Sequence, residues 1–182
     1  MKKLLASILC LGLAAMALPK PFTPPAGKNI ALGKKATFLT PPDYQLCTDE
    51  NDNIQLTDGK FIGAKMWWEK GCVGWRNSDP ANPRIIKERP VGFIIDLGDV
   101  EPIQGFMYST VAGDVGITFP YYICIYTSED GREWHFTGDL VKQSAKEYGA
   151  PPTDIFFVHK FASLNMPTKG RYVAFVMKAR KA

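Results

Sequence analysis

The sequence predicts an all-β protein built as an antiparallel sandwich or barrel. Three observations lead there. Seven short runs alternate apolar and polar residues with the period of a half-buried strand. Gly, Pro, Asn and Asp clusters separate the runs, and nothing in the chain has the β-helix-β rhythm of a parallel sheet.

In chain order, Lys35–Thr40 is the first candidate strand. Val91–Leu97 (VGFIIDL) is the clearest, with Phe93, Ile95 and Leu97 on one face. Ile103–Thr110 and Tyr121–Thr127 follow, each ending in polar turn residues. Ser128-Glu129-Asp130-Gly131 reads as a hairpin turn, with Gly131 where a positive φ is needed. In Glu133–Thr137 the pattern places Trp134 and Phe136 inward and His135 outward. Leu140–Tyr148 is the one stretch with helical character, ended by Gly149-Ala150-Pro151-Pro152. Asp154–Phe161 and Arg171–Met177 are the last two strands. There is no internal repeat.

The first residues stand apart from this pattern. Lys2 and Lys3, an apolar run and Ala15-Met16-Ala17 form a signal peptide over residues 1–17. The run is too short to span a bilayer comfortably. Residues 18–28 (LPKPFTPPAGK) are a Pro-rich spacer, and residues 29–182 form one domain. The expected location is secreted, periplasmic or at the cell surface.

Hydrophobic residues at 46% and charged residues at 22% are ordinary for a globular domain. Cleavage removes Lys2 and Lys3 and no acids, lowering the formal charge from +4 to +2. No run of five basic residues occurs, so a nucleic-acid partner is not expected. Cleavage also leaves an odd set of cysteines, Cys47, Cys72 and Cys124. Cys47 and Cys72 could bridge in an oxidising compartment, and Cys124 reads as a buried small hydrophobe. No C-x-x-C motif points to zinc.

Five pieces, in order, resemble coagulation factor 5/8 type C domains, also called discoidin domains. Asn29-Ile30-Ala31-Leu32-Gly33-Lys34 is similar to their NxAxGK opening. Leu56-Thr57-Asp58-Gly59 with the later Trp75 is similar to their DG…W loop. Val91–Gly98 resembles the central hxIDLG strand. Gly116–Pro120, then Ile125–Gly131 and Trp134, resemble the P…hxxSxDGxxW hairpin, and Arg171-Tyr172-Val173 the aRYVRh strand. The resemblance spans residues 29–177. It implies an eight-stranded jelly-roll sandwich of the galactose-binding type, secreted and non-catalytic. Bacterial members are mostly carbohydrate-binding modules beside glycan-degrading enzymes, and many hold a calcium ion near the DG loop.

One departure stands out. Family members follow the RYV strand with a further strand that opens on an acidic pair, and here Lys178-Ala179-Arg180-Lys181 is followed only by Ala182. Either the sequence is shorter than its family, or the sandwich closes differently. A sandwich lacking its final strand would leave an open edge.

Asp49-Glu50-Asn51-Asp52-Asn53, with Asp58, supplies the hard oxygens that calcium takes, though not at EF-hand spacing. Asp58, Asp49 and Asp52 are the candidate ligands. The alternative is a solvated acidic turn in which Asp58 bonds its own backbone.

The segment LTDGKFIGAKMWWEKGCVGW (residues 56–75) raises the question of why three tryptophans share one glycine-studded stretch. Trp75 and Trp134 read as core. Trp67 and Trp68 are adjacent, so in extended chain their rings point opposite ways, one inward and one outward. An exposed indole stacks on the C–H face of a sugar, while hydroxyls take planar polar partners. Trp67, Trp68 and Arg76 are therefore the expected ligand contacts, with Tyr44 and Asn77 behind them. Tryptophans that merely pin a long loop are the alternative. His135 and His159 lack metal or catalytic spacing and read as surface strand residues.

The expected function is non-catalytic recognition of a glycan by loops at one end of a sandwich, with a glycan-degrading enzyme as a possible partner. The competing expectation is a discoidin-type protein- or lipid-binding adhesion module, which exposed apolar loop tips around Phe61-Ile62 and Met66-Trp67 would serve.

Overall fold

The computed structural model describes residues 27–61, 68–76, 90–113, 116–153 and 155–179. The expected signal peptide and nearly all of the expected spacer lie outside these residues, as do Trp67 and Asn77.

Among the described residues seven strands and two helices form: β1 (Ala36–Phe38), α1 (Asp52–Gln55), β2 (Val91–Ile103), β3 (Phe106–Ala112), β4 (Pro120–Ser128), β5 (His135–Asp139), α2 (Leu140–Tyr148), β6 (Phe157–Ser163) and β7 (Thr168–Ala179). Five strands make one antiparallel sheet in the order β1-β2-β7-β4-β5, and β3 pairs with β6 in a second. The chain crosses between sheets at β2–β3, β3–β4, β5–β6 and β6–β7, the criss-cross path of a jelly-roll sandwich.

The strand carrying Arg171-Tyr172-Val173 does not border an open edge. β7 lies inside the sheet, paired with β2 on one side and β4 on the other. β7 enters between two strands already separated in space.

Phe93, Ile95 and Leu97 of β2 point inward as their alternation predicts, and Val173, Phe175 and Met177 of β7 match them. Phe93 sits directly opposite Phe175, their rings stacked at 5.0 Å. From the second sheet, Tyr108 lies 6.4 and 6.3 Å from these two rings, and Phe106 meets Phe175 edge-on at 6.2 Å. These contacts fasten the two sheets together. Each such ring, fully buried, stabilises the fold by roughly 1.5–3 kcal/mol.

Element boundaries differ from expectation where side chains rewrite the backbone path. β2 continues to Ile103 through a register shift between Asp96 and Glu101, where the Asp96 carboxylate accepts from Gly98 N at 2.8 Å. The next strand accordingly begins at Phe106 rather than Ile103. Arg171 clamps Asp96 through two bonds of 2.8 Å, joining β2 to β7 and holding the Asp96 carboxyl down to about 2.

The helix over Leu140–Tyr148 forms as expected. Asp139 caps it by accepting from Val141 N, and Ser144 Oγ accepts from Ala162 N, seating the helix on β6. The turn at 128–131 also forms, with Gly131 at φ +77 beneath the Tyr172 ring. There the Asp130 carboxylate accepts from Arg132 N and Glu133 N, bonds that hold it below the usual carboxylate range.

Three inward or outward assignments change. Phe136 is 59% exposed, because a register shift after Ile125 pairs it with Tyr126 on the outer face. Cys124 is half-buried, on the face opposite Ile123 and Ile125. His159 is half-buried instead of lying on the surface. Its ring packs 4.6 Å from Phe161, 5.9 Å from Phe119 and 6.1 Å from Phe157. Its Nε2 is buried without a hydrogen-bond partner, and burial lowers its pKa.

Candidate functional site

The opening motif and the DG loop meet in space. Gly33 N donates to Thr57 O at 2.8 Å, and Thr57 Oγ1 donates to Lys34 O. Asp58 turns on itself, accepting from Lys60 N at 2.8 Å with Gly59 at φ +76.

Residues 40–48 and 70–76 run antiparallel and are zipped by unlike bonds. Gly74 O accepts from Asp43 N and Tyr44 N, both at 3.2 Å, and the Asp43 carboxylate accepts from Arg76 N at 2.7 Å. Trp75 Nε1 donates to Thr40 O at 2.8 Å, and Lys70 Nζ to Thr48 O. A Cβ at position 74 would fall 2.7 Å from Cys47 Sγ and 2.9 Å from Tyr44 Cβ, so this crossing needs glycine.

The tryptophans divide their tasks. Trp75 packs against the core with its ring edge-on to Phe38 at 6.0 Å, as its match to the DG…W loop implies. Trp134 is half-buried. Trp68, at the start of the 68–71 turn, is 45% exposed.

A cavity of about 750 Å³ extends from these loops into the space between the sheets. Tyr44, Trp75 and Arg76 line it from the zipped pair, Asp58 and Phe61 from the DG loop, and Phe93 and Tyr108 from the core. Tyr44 and Arg76 are thus brought together; burial, with Cys47 adding to it, raises the Tyr44 phenol's pKa, and the Arg76 guanidinium partly opposes the rise. Trp68 belongs to the same loop pair but is not part of the cavity wall.

The candidate metal ligands do not converge. Asp49 accepts from Asn51 N at 2.7 Å and from Gln55 Nε2 at 3.0 Å. Asp52, 4% exposed, accepts from Asp49 N at 3.2 Å, and burial raises its pKa. These bonds build the single turn of α1, which the acidic run did not announce. Among the described residues, no three Asp, Glu, His or Cys side chains come together as a metal would require. The three carboxylates do not fit a calcium cage.

One contributor escaped sequence reasoning: Asp43, whose carboxylate orders the backbone at Arg76. Phe61, already noted as an apolar loop tip, is 47% exposed and carries Lys160 Nζ 3.9 Å above its ring, a pairing distant in sequence.

No family model matches the sequence, and no curated protein does. Solved structures do match. CpGH89CBM32-6 from Clostridium perfringens is 17% identical, covering 84% of this chain and 90% of that one, with a TM-score of 0.46. Chitosan-binding module 1 of a chitosanase/glucanase from Paenibacillus sp. IK-5 is 13% identical over 86% of this chain and 90% of that one, at 0.44. CpGH89CBM32-5 from Clostridium perfringens, solved with GalNAc-β-1,3-galactose, is 19% identical over 80% and 84%, at 0.42. Among the described residues, no helix is long and apolar enough to cross a membrane.

Proposed function

We propose that this chain is an exported, non-catalytic module that binds a glycan through the loops at 40–48 and 68–76, working beside a glycan-degrading enzyme. The observation that carries the reading is the exposed Trp68 indole on a loop that Trp75 anchors to the core. An indole held in place offers a flat apolar platform to the C–H face of a pyranose. Arg76 and Tyr44, on the same loop pair, supply the planar donor and the hydroxyl that orient a sugar's polar edge.

Prior fixation of the loops lowers the ordering cost of binding, and a shallow wet surface limits the gain. The expected Kd is in the range of about 1 μM to 1 mM. Calcium is no part of this reading, since Asp49, Asp52 and Asp58 are committed to turns and to α1.

A glycan array with the chain from residue 18 onward, run with calcium and then with chelator, tests the proposal. Selective binding that survives chelation supports it. Silence from folded protein, with binding to lipid vesicles or a protein ligand instead, would replace it with an adhesion module. Trp68→Ala sharpens the result: glycan binding is lost while Tm stays within about 2 °C, because an exposed side chain contributes little to stability.

A further inference from the structure

Cys47 and Cys72 are reduced in the structure, and neither has a place in the glycan site. The zipped loops place them in facing segments. Gly74 O accepts from Tyr44 N, and Lys70 Nζ reaches Thr48 O, so the segment holding Cys47 faces the one holding Cys72. Cys47 Sγ is close enough to the backbone at Gly74 to exclude any Cβ there. Both residues line the same cavity. Cys47 is 0% exposed, Cys72 half-buried.

We infer that Cys47 and Cys72 are a disulfide-forming pair that locks residues 40–48 to residues 70–76 when the chain meets a disulfide oxidant. The reaction is thiol–disulfide exchange in two steps. The Cys72 thiol, the accessible one, loses its proton and attacks the oxidant's disulfide. This forms a mixed disulfide and releases one oxidant thiol. The buried Cys47 thiol then loses its proton and attacks the Cys72 sulfur, forming the intramolecular bond and expelling the second oxidant thiol. The protein loses two protons and two electrons, and the oxidant's disulfide becomes two thiols.

The electrostatics set the pace. Burial pushes Cys72 up to about 12, with Cys47 and Glu69 adding to the effect, and burial raises Cys47 to about 11. Few thiolates exist at neutral pH, so the bond forms slowly without an exchange catalyst. Cys124 lies on β4, outside the zipped pair, and takes no part. The disulfide stands whether or not the loops bind a sugar.

The test is to incubate the folded chain with oxidised or reduced glutathione, alkylate free thiols in denaturant, and digest with trypsin without reduction. Cleavage after Lys35, Lys60, Lys70 and Arg76 releases Ala36–Lys60, holding Cys47, and Gly71–Arg76, holding Cys72. After oxidised glutathione the two peptides are expected as one cross-linked species lighter by two hydrogens, with Cys124 alkylated. Tm should rise by roughly 5–10 °C over the reduced protein, as for a disulfide closing a loop of this size. In Cys47→Ser the expectation is a stable glutathione adduct on Cys72. Separate alkylated or glutathionylated peptides in the unmutated protein, or a bond from either residue to Cys124, would overturn the inference.

Discussion

The five-stranded sheet and the loop pair at 40–48 and 68–76 are held by different means. In the sheet, cohesion is spread over repeated backbone bonds and rings that each touch several others, as Phe175 touches Phe93, Phe106 and Tyr108. In the loops it rests on a few unlike contacts: a carboxylate on an amide, an indole N–H on a carbonyl, a glycine under a thiol. A sheet tolerates the loss of one bond because its neighbours remain. A loop built of single contacts is rigid only while each survives, a construction suited to presenting side chains rather than to bearing the fold.

The largest effect is expected where rings converge. Phe175→Ala should cost about 3–5 kcal/mol in urea unfolding, since it empties the contact between the sheets. If the cost is near 1 kcal/mol, the sandwich does not depend on this cluster and the contrast fails. Next, Trp75→Phe keeps an aromatic ring over the core but deletes the bond to Thr40 O. It should cost about 1–2 kcal/mol and speed amide exchange at 43–48, leaving β2 and β7 protected. Exchange rising equally in the sheet would mean the two regions are one cooperative unit.

A smaller effect concerns acid. His159 has a folded pKa held below its ordinary value of 6.5 by burial. The unfolded chain therefore takes up the proton first, and the stability due to neutral His159 is intact above about pH 6.5 and declines as pH falls below it. Tm should drop between pH 7 and pH 5.5, and His159→Phe should flatten that decline. An unchanged slope would assign the acid sensitivity elsewhere. The smallest effect is an expected null: excess chelator should shift Tm by less than about 1 °C, because the candidate carboxylates already have partners in the protein.

Sheet strands were legible because burial on one face imposes a period of two on residues such as Phe93, Ile95 and Leu97. The α2 boundaries were legible from Gly149 and the prolines beyond. Phe136 was misassigned since a register shift is a property of two strands, invisible in one. His159 looked like an outward polar position, but the aromatic rings that enclose it come from two segments about 40 residues apart. In the site, Trp75 and the turn at Asp58-Gly59 carried local signals. The pairing of Tyr44 with Arg76 depends on how loops distant in sequence cross.

The central position of β7 orders events in time. Without residues 168–179, β1 and β2 share no ladder with β4 and β5, so the large sheet exists only as two separate ribbons. Of the described strands β7 is synthesised last, and it is the one that unites them. The large sheet thus cannot close until residues 168–179 have been made, and long-range pairing of this kind is slow.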